Sequence, residues 1–390
     1  MYIITNGKLI TEDAVLEGMD LLIEDGNIAL ISERIPVPEG AEVLDANGGY
    51  VSPGFIDLHS DYIEHMAAPR PTSLMNFNLA LKETEKELIS HGITTMFHSL
   101  SLYKYTEYAY KPVREAENVK KLMNLIEETH ESSHLVRHRF HARFEIDNLG
   151  EVENLKSYMN EQKVHLLSFM DHTPGQGQYR HLEIYRNTVK GYNDYSDDQI
   201  DQIIVKHQTK EKLTAEAIAE LAELAAQNGI AVASHDDDSF EKLELVDSFG
   251  ATISEFPITL DVAKEAKRRG LATIAGAPNV LLGGSHSGNL CAAEAIRENS
   301  IDILCSDYYP AAMLHSIFKL AQEDGMDLAE MVKLVTINPA KAVRMDGEIG
   351  SIREGKKADL LIIEKMEYDF PAITAVFVDG KLIQKTNYRR

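Results

Sequence analysis

Eight short apolar runs, most ending in a polar residue and several separated by amphipathic stretches, constrain the fold of this chain more than any other feature. They read PGFIDLHSD (53–61), GITTMFHSL (92–100), RFHARFEID (139–147), VHLLSFMDHT (164–173), GIAVASHDDD (229–238), GATISEFPI (250–258), GLATIAGAPN (270–279) and IDILCSDYYP (301–310). Runs this continuously apolar need cover on both faces, as the strands of a parallel sheet flanked by helices do. Helical cover is written between them, as in SLMNFNLALKETEKELISHG (73–92) and TAEAIAELAELAAQNG (214–229). Eight βα units predict an α/β fold, a (β/α)8 TIM-like barrel. A doubly wound open sheet is the alternative; its dinucleotide-binding form is weakened because no GxGxxG follows the first run.

The two ends have another texture. YIITNGKLI, DLLIEDGNIALIS and AEVLDANGGYV read as short strands, with NG, DGN and NGG as hairpin turns. GSIREGKKADLLIIE (350–364) and ITAVFVDGKLIQK (373–385) return to that style. Residues 1–50 and 345–390 are therefore expected to form one small β-sandwich domain around a barrel of residues 51–344. A chain of 390 residues is long enough for both.

Charge narrows the partners. A net charge of −23 argues against nucleic acid, which needs a basic surface, but leaves a phosphorylated small molecule open, because metal ions reverse the potential inside one cleft. Acidic runs such as KETEKEL (82–88) and LIEETHESS (125–133) read as solvated helix faces. No apolar run is long enough for a membrane span, and the first residues lack the pattern of a signal peptide. Cys291 and Cys305, both in apolar settings, suit a reducing cytoplasm better than a disulfide framework.

In a TIM barrel the site forms where strands end. Here the ends carry His59 and Asp61, Glu145, His172, His235, Glu255 and Asp307. His59 and Asp61, two apart on a strand, should point the same way. A lone strand-end histidine is ordinarily structural. Several imidazoles and carboxylates buried together without a cation would cost several kcal/mol for each unpaired charge. One or two divalent ions held by His59, Asp61, Glu145, His172, His235 and Asp307 would offset that, and zinc, manganese and iron all suit such donors. Asp307 is the expected general base. Asp236 or Asp237 is expected one step behind the ions, orienting a ligand.

VSPGFIDLHSD (51–61), SD at 306–307 and VTINPAKAVRMDGEIGSIREGKKADLLIIE (335–364) resemble the amidohydrolase superfamily over essentially the whole chain. The resemblance implies a metal-bearing barrel with a β domain built from both termini. Departures are His59-Ser60-Asp61 where the family has HxH, no histidine on the sixth strand, and His172 in place of a carboxylated lysine. HSDYIEHMAAPRP, SFMDHTPGQGQY, ASHDDD, SEFPIT, GAPNVLLGGSHSGN and SDYYPAAML are similar to a branch of diphosphatases in phosphonate catabolism. That implies hydrolysis of a phosphorylated ribose phosphonate with release of pyrophosphate. Arg70 and Arg180 would then grip phosphate oxygens, and Gly284, Ser285, His286 and Ser287 would line a phosphate loop. The barrel's outer helices offer surface for a homodimer. Hydrolysis of an amide or cyclic imide C–N bond and a non-catalytic scaffold are the alternatives.

Overall fold

A computed structural model describes residues 1–70, 72–102, 112–192, 194–285 and 288–388. The chain opens with β1 (Tyr2–Ile10), β2 (Val15–Glu24), β3 (Asn27–Ser32), β4 (Glu42–Asp45) and β5 (Tyr50–Pro53). Next come β6 (Phe55–Ser60), β7 (Ile93–Leu102), β8 (Arg137–Glu145), β9 (Leu166–Met170), β10 (Ala231–His235), β11 (Ile253–Glu255), β12 (Ala272–Gly276) and β13 (Ile303–Cys305). It ends with β14 (Leu360–Lys365), β15 (Pro371–Val378) and β16 (Lys381–Lys385).

β6 to β13 coincide with the eight apolar runs and pair in sequence order, all parallel. A parallel bridge between Ser60 and Asp307 joins the last strand to the first. There the Asp307 N–H donates to the His59 carbonyl and the Asp61 N–H to that of Asp307, each at 3.0 Å. Every residue of β6, β7, β9, β10, β11 and β13 is buried, which is why these runs carry so little polar alternation. The covering helices start where a side chain can cap them. Asn76 Oδ1 accepts the Leu79 N–H, so the first long helix begins at Phe77, four residues inside its amphipathic stretch. Thr214 caps Ala215–Gln227 in the same way.

In the acidic run 82–88 Glu83, Lys86 and Glu87 face solvent as expected, and Glu85 is the exception. Glu85 is buried, and its carboxylate accepts from His138 Nε2 at 2.8 Å and from the Leu135 N–H at 3.2 Å. Burial would raise this carboxyl, but His138 and Lys82 outweigh that and hold it low.

The terminal strands form one sheet in the order β16-β15-β14-β5-β1-β2-β3, with β4 beside β1. β5 is the seam: antiparallel to β14 on one side and parallel to β1 on the other. Ile4, Leu21, Ile23, Leu360 and Phe377 form its core. Asp25-Gly26, both at positive φ, make the expected hairpin turn between β2 and β3; Asn47-Gly48, also at positive φ, turn the chain from β4 to β5, which both run parallel to β1, and so are not a hairpin. Asn6-Gly7 is not a hairpin turn; it lies inside β1 at a shift of register. A positive φ at Asn6 serves a bulge as well as a turn. A Cβ on Gly7 would stand 2.7 Å from Val51 Cγ2, so the close approach of β5 excludes a side chain there.

Arg137, on β8, ties this sheet to the barrel. Its guanidinium donates to Asp359 Oδ2 and Asp379 Oδ1, both at 2.7 Å, and to Thr95 Oγ1 at 3.0 Å.

Candidate active site

Three residues just past the barrel strands adopt a left-handed backbone that non-glycine residues rarely take: Asp236 (φ 55°), Phe256 (φ 56°) and Asp307 (φ 58°). Each is held by the neighbouring strand. Their N–H groups donate to Glu255 O, Ile274 O and His59 O at 2.8, 2.9 and 3.0 Å. Such strain persists where the surroundings over-determine it, and it concentrates at sites. Here it turns each chain sharply across the top of the barrel, around a cleft of about 230 Å³. His59, His172, His235, Asp236 and Asp307 line that cleft, with Gly284 and Ser285 in its wall.

The metal-type side chains sort into two layers. The deeper one is His59, His141 and Glu255, all buried. His59 Nδ1 lies 3.0 Å from Glu255 Oε1, the Ser168 hydroxyl donates to Glu255 Oε2 at 2.5 Å, and His141 Nε2 meets Ser168 Oγ at 2.5 Å. His141 Nδ1 donates to the Leu58 carbonyl at 2.9 Å. The single Ser168 proton goes to Glu255, so a neutral His141 protonated on Nδ1 finds no donor there for Nε2, and His59, His141 and Glu255 lie close enough together to share a cation. Burial holds His141 down to about 3 against the pull of Glu255, and keeps His59 well below the usual histidine range, with Arg143 adding to the effect.

The upper layer is His172, His235 and Asp236. His172 Nδ1 makes a short hydrogen bond with Glu145 Oε1. Burial would lower His172, but Glu145 raises it on balance, and the same contact pulls Glu145 down against its own burial. His235 is buried, and among the described residues neither ring nitrogen has a hydrogen-bond partner; Asp236 Oδ2 stands 3.1 Å from its Nδ1 but outside hydrogen-bonding geometry. A buried imidazole with two idle nitrogens beside a carboxylate and a second histidine is a donor set that fits a divalent cation. The deeper group offers a second such set, its His141 Nε2 facing an oxygen that has no proton to give. Asp307 is pushed up to about 7, first by burial and then by the Asp61 carboxylate, while Arg143 opposes the rise.

The remaining expected residues scatter. Asp61 is not grouped with His59. β6 stops at Ser60, Asp61 turns into the helix Tyr62–Ala67, and its carboxylate lies 3.8 Å from Arg114 Nη2. Asp236 stands among the candidate ligands themselves, not behind them. Asp237 does sit behind: it is fully buried and accepts from the hydroxyls of Ser234 and Ser254, both at 2.5 Å. Arg70 is exposed in a small turn with Ser73 and does not line the cleft. Arg180 follows the single-turn helix Gly177–Tyr179, two residues beyond cleft-lining Gln178, and among the described residues its buried Nε has no partner. His286 and Ser287 lie outside the described residues. His141 was missed because it sits in mid-strand; its signal was the alternation RHRFHARFE, polar at every second position in a strand that should be apolar on both faces.

A parallel eight-stranded barrel with imidazoles and carboxylates at its C-terminal end, and a sheet built from both chain ends, is the build of a metal-dependent hydrolase. The chain belongs to the amidohydrolase family, whose profile matches residues 50–383. It is 33% identical over 372 residues, 94% of this chain and 96% of the relative, to the α-D-ribose 1-methylphosphonate 5-triphosphate diphosphatase of Escherichia coli K12. Likeness to an adenine deaminase of Clostridium botulinum, at 36% identity, spans 24% of this chain and 17% of the deaminase. Among solved structures, the β-aspartyl dipeptidase of Fervidobacterium islandicum shares the fold, with a TM-score of 0.66 at 16% identity over 100% of this chain and 99% of that one. The N-acetylglucosamine-6-phosphate deacetylase of Pasteurella multocida does so with a TM-score of 0.63 at 15% identity, covering 98% and 99%. Among the described residues, no helix is long and apolar enough to cross a membrane.

Proposed function

We propose that this hydrolase cleaves the triphosphate of α-D-ribose 1-methylphosphonate 5-triphosphate, leaving the 5-phosphate and releasing pyrophosphate. The observation that carries the reading is end-to-end likeness: the diphosphatase aligns over 94% of the chain, whereas the deaminase likeness is confined to about a quarter of it.

In this reading His172, His235 and Asp236 hold a divalent ion, with His59 and Asp307 at its flank. Zinc, manganese or iron would supply the positive charge that acidifies a water and offsets the charge on phosphoryl oxygens. Glu145 keeps the His172 ring oriented and its far nitrogen electron-rich, as carboxylate partners of ligand histidines do. Asp307, raised towards neutrality and open to the cleft, takes the proton of the attacking water. Gly284 and Ser285, in the cleft wall, offer the approach surface for the polyphosphate chain.

Phosphorus NMR of the metal-supplied protein with this substrate, and with ATP in a parallel tube, tests the proposal. Pyrophosphate and a 5-phosphate from the first tube alone are expected. Cleavage of both would show the substrate assignment to be too narrow, and cleavage of neither would overturn the phosphoanhydride reading.

A further inference from the structure

β8 carries an anomaly that the proposed chemistry has not used. Its residues 137, 139, 141, 143 and 145 share one face, and along it Arg143 stands between His141 in the deeper polar layer and Glu145 at the strand end. Barrel interiors are ordinarily filled by branched apolar side chains. Arg143 is half-buried there, and a cation partly withdrawn from water is ordinarily paired with a carboxylate.

Among the described residues Arg143 is not paired. Asp236 and Asp307 line the same cavity and Glu145 and Glu255 sit against its histidines, yet none of the four lies within ion-pair distance of its guanidinium. Its one hydrogen bond runs from Nε to Met170 Sδ at 3.2 Å, a weak acceptor. That contact anchors one edge of the group while leaving Nη1 and Nη2, among the described residues, without protein acceptors. Arg143 lines the cleft, and among the described residues it is the one lysine or arginine that does. Its charge is felt by His59, Glu145, His172 and Asp307, which places it beside the candidate metal centre.

We infer that Arg143 binds the phosphoryl oxygens of the substrate and so selects a polyanionic phosphoanhydride over an uncharged acyl compound. The inference rests on the proposed reaction. A guanidinium with two idle terminal nitrogens makes the bidentate fork that matches phosphate oxygens, and an anchored edge lowers the cost of using it. In a chain of net charge −23, an arginine kept free of the surrounding carboxylates is the protein's own cationic contribution to the cleft.

The test compares wild type with Arg143→Met, Arg143→Gln and Arg143→Lys, all metal-loaded, by calorimetric titration with inorganic pyrophosphate. Metal content is measured before and after. The Met and Gln variants should bind pyrophosphate about 10- to 100-fold more weakly with metal content unchanged, and Lys should fall between. Two neutral variants keep the test readable if one fails to fold. Unchanged affinity in both overturns the inference, as does a wild type that binds no pyrophosphate. Loss of metal from the neutral variants also overturns it, because Arg143 would then support the metal centre. Arg143-dependent pyrophosphate binding without cleavage of the ribose triphosphate would uphold the arginine's role and sink only the proposed reaction.

Discussion

Cutting the link between the terminal sheet and the barrel should be costly at one carboxylate and cheap at the other, although both lie 2.7 Å from the same guanidinium. Asp359 is 3% exposed and the Arg137 side chain 5%, whereas Asp379 is 43% exposed. Burial alone would weaken the arginine's hold on its proton, and Asp359 first, with Asp379 behind it, more than reverses this. Asp359→Ala leaves a buried, half-paired cation, a loss of about 3–5 kcal/mol. It also strips the Asp379 N–H of its acceptor, a 2.8 Å hydrogen bond worth about 1 kcal/mol. Asp379→Ala breaks a solvent-screened pair and should cost about 0–1 kcal/mol. Urea unfolding followed by circular dichroism would show the first variant with a far lower midpoint than the second. Arg137→Met combined with Asp359→Leu should recover much of the loss, since an apolar pair removes the orphaned charge. Equal midpoints for the two single variants, or a double variant no better than Asp359→Ala, would refute the reasoning.

Three further outcomes follow from the site and its surroundings. Asp307→Asn should lower turnover by about 10²–10⁴-fold while fold and metal content hold; a lowered urea midpoint would mark the residue as structural. Glu145→Gln should weaken metal binding by about 10- to 100-fold in chelator competition, because His172 loses its anionic partner; unchanged affinity would remove Glu145 from the centre. His165 and His130 are pushed down to about 3 and about 4, chiefly by burial, with Arg139 adding to both. Their stability contribution is complete above about pH 6.5 and is lost as pH falls towards those values, because the unfolded chain then binds protons that the folded one refuses. His165→Gln should therefore flatten the pH dependence of the urea midpoint between about pH 6 and 4; an unchanged slope would count against it.

Strands buried on both faces announce themselves by continuous apolar composition, so all eight barrel strands were legible. What sits within them was less so. His141 and Arg143 occupy the inward face of β8, and a polar residue inside a strand reads as sheet surface unless the strand is known to be covered on both sides. The two-residue period puts Asp61 beside His59, but that period holds only while a strand lasts, and β6 ends one residue earlier. Glu85 lies in a run whose composition says solvent; only the partnership with His138, 53 positions along the chain, explains its burial. Asp236 and Asp237 are neighbours of one residue type, and the left-handed turn at Asp236 is what sends one into the cleft and the other beneath it.

The seam at β5 has a consequence for how the molecule is made. β5 needs β14 on one edge, and β14 leaves the ribosome about 300 residues later, roughly 15–60 s at ordinary synthesis rates. For that interval β1 to β5 are a sheet with an open, apolar edge, the kind that templates pairing with other chains. The barrel strands are laid down in spatial order and can assemble as they emerge, so the open edge at β5 waits uncovered while the whole barrel is made.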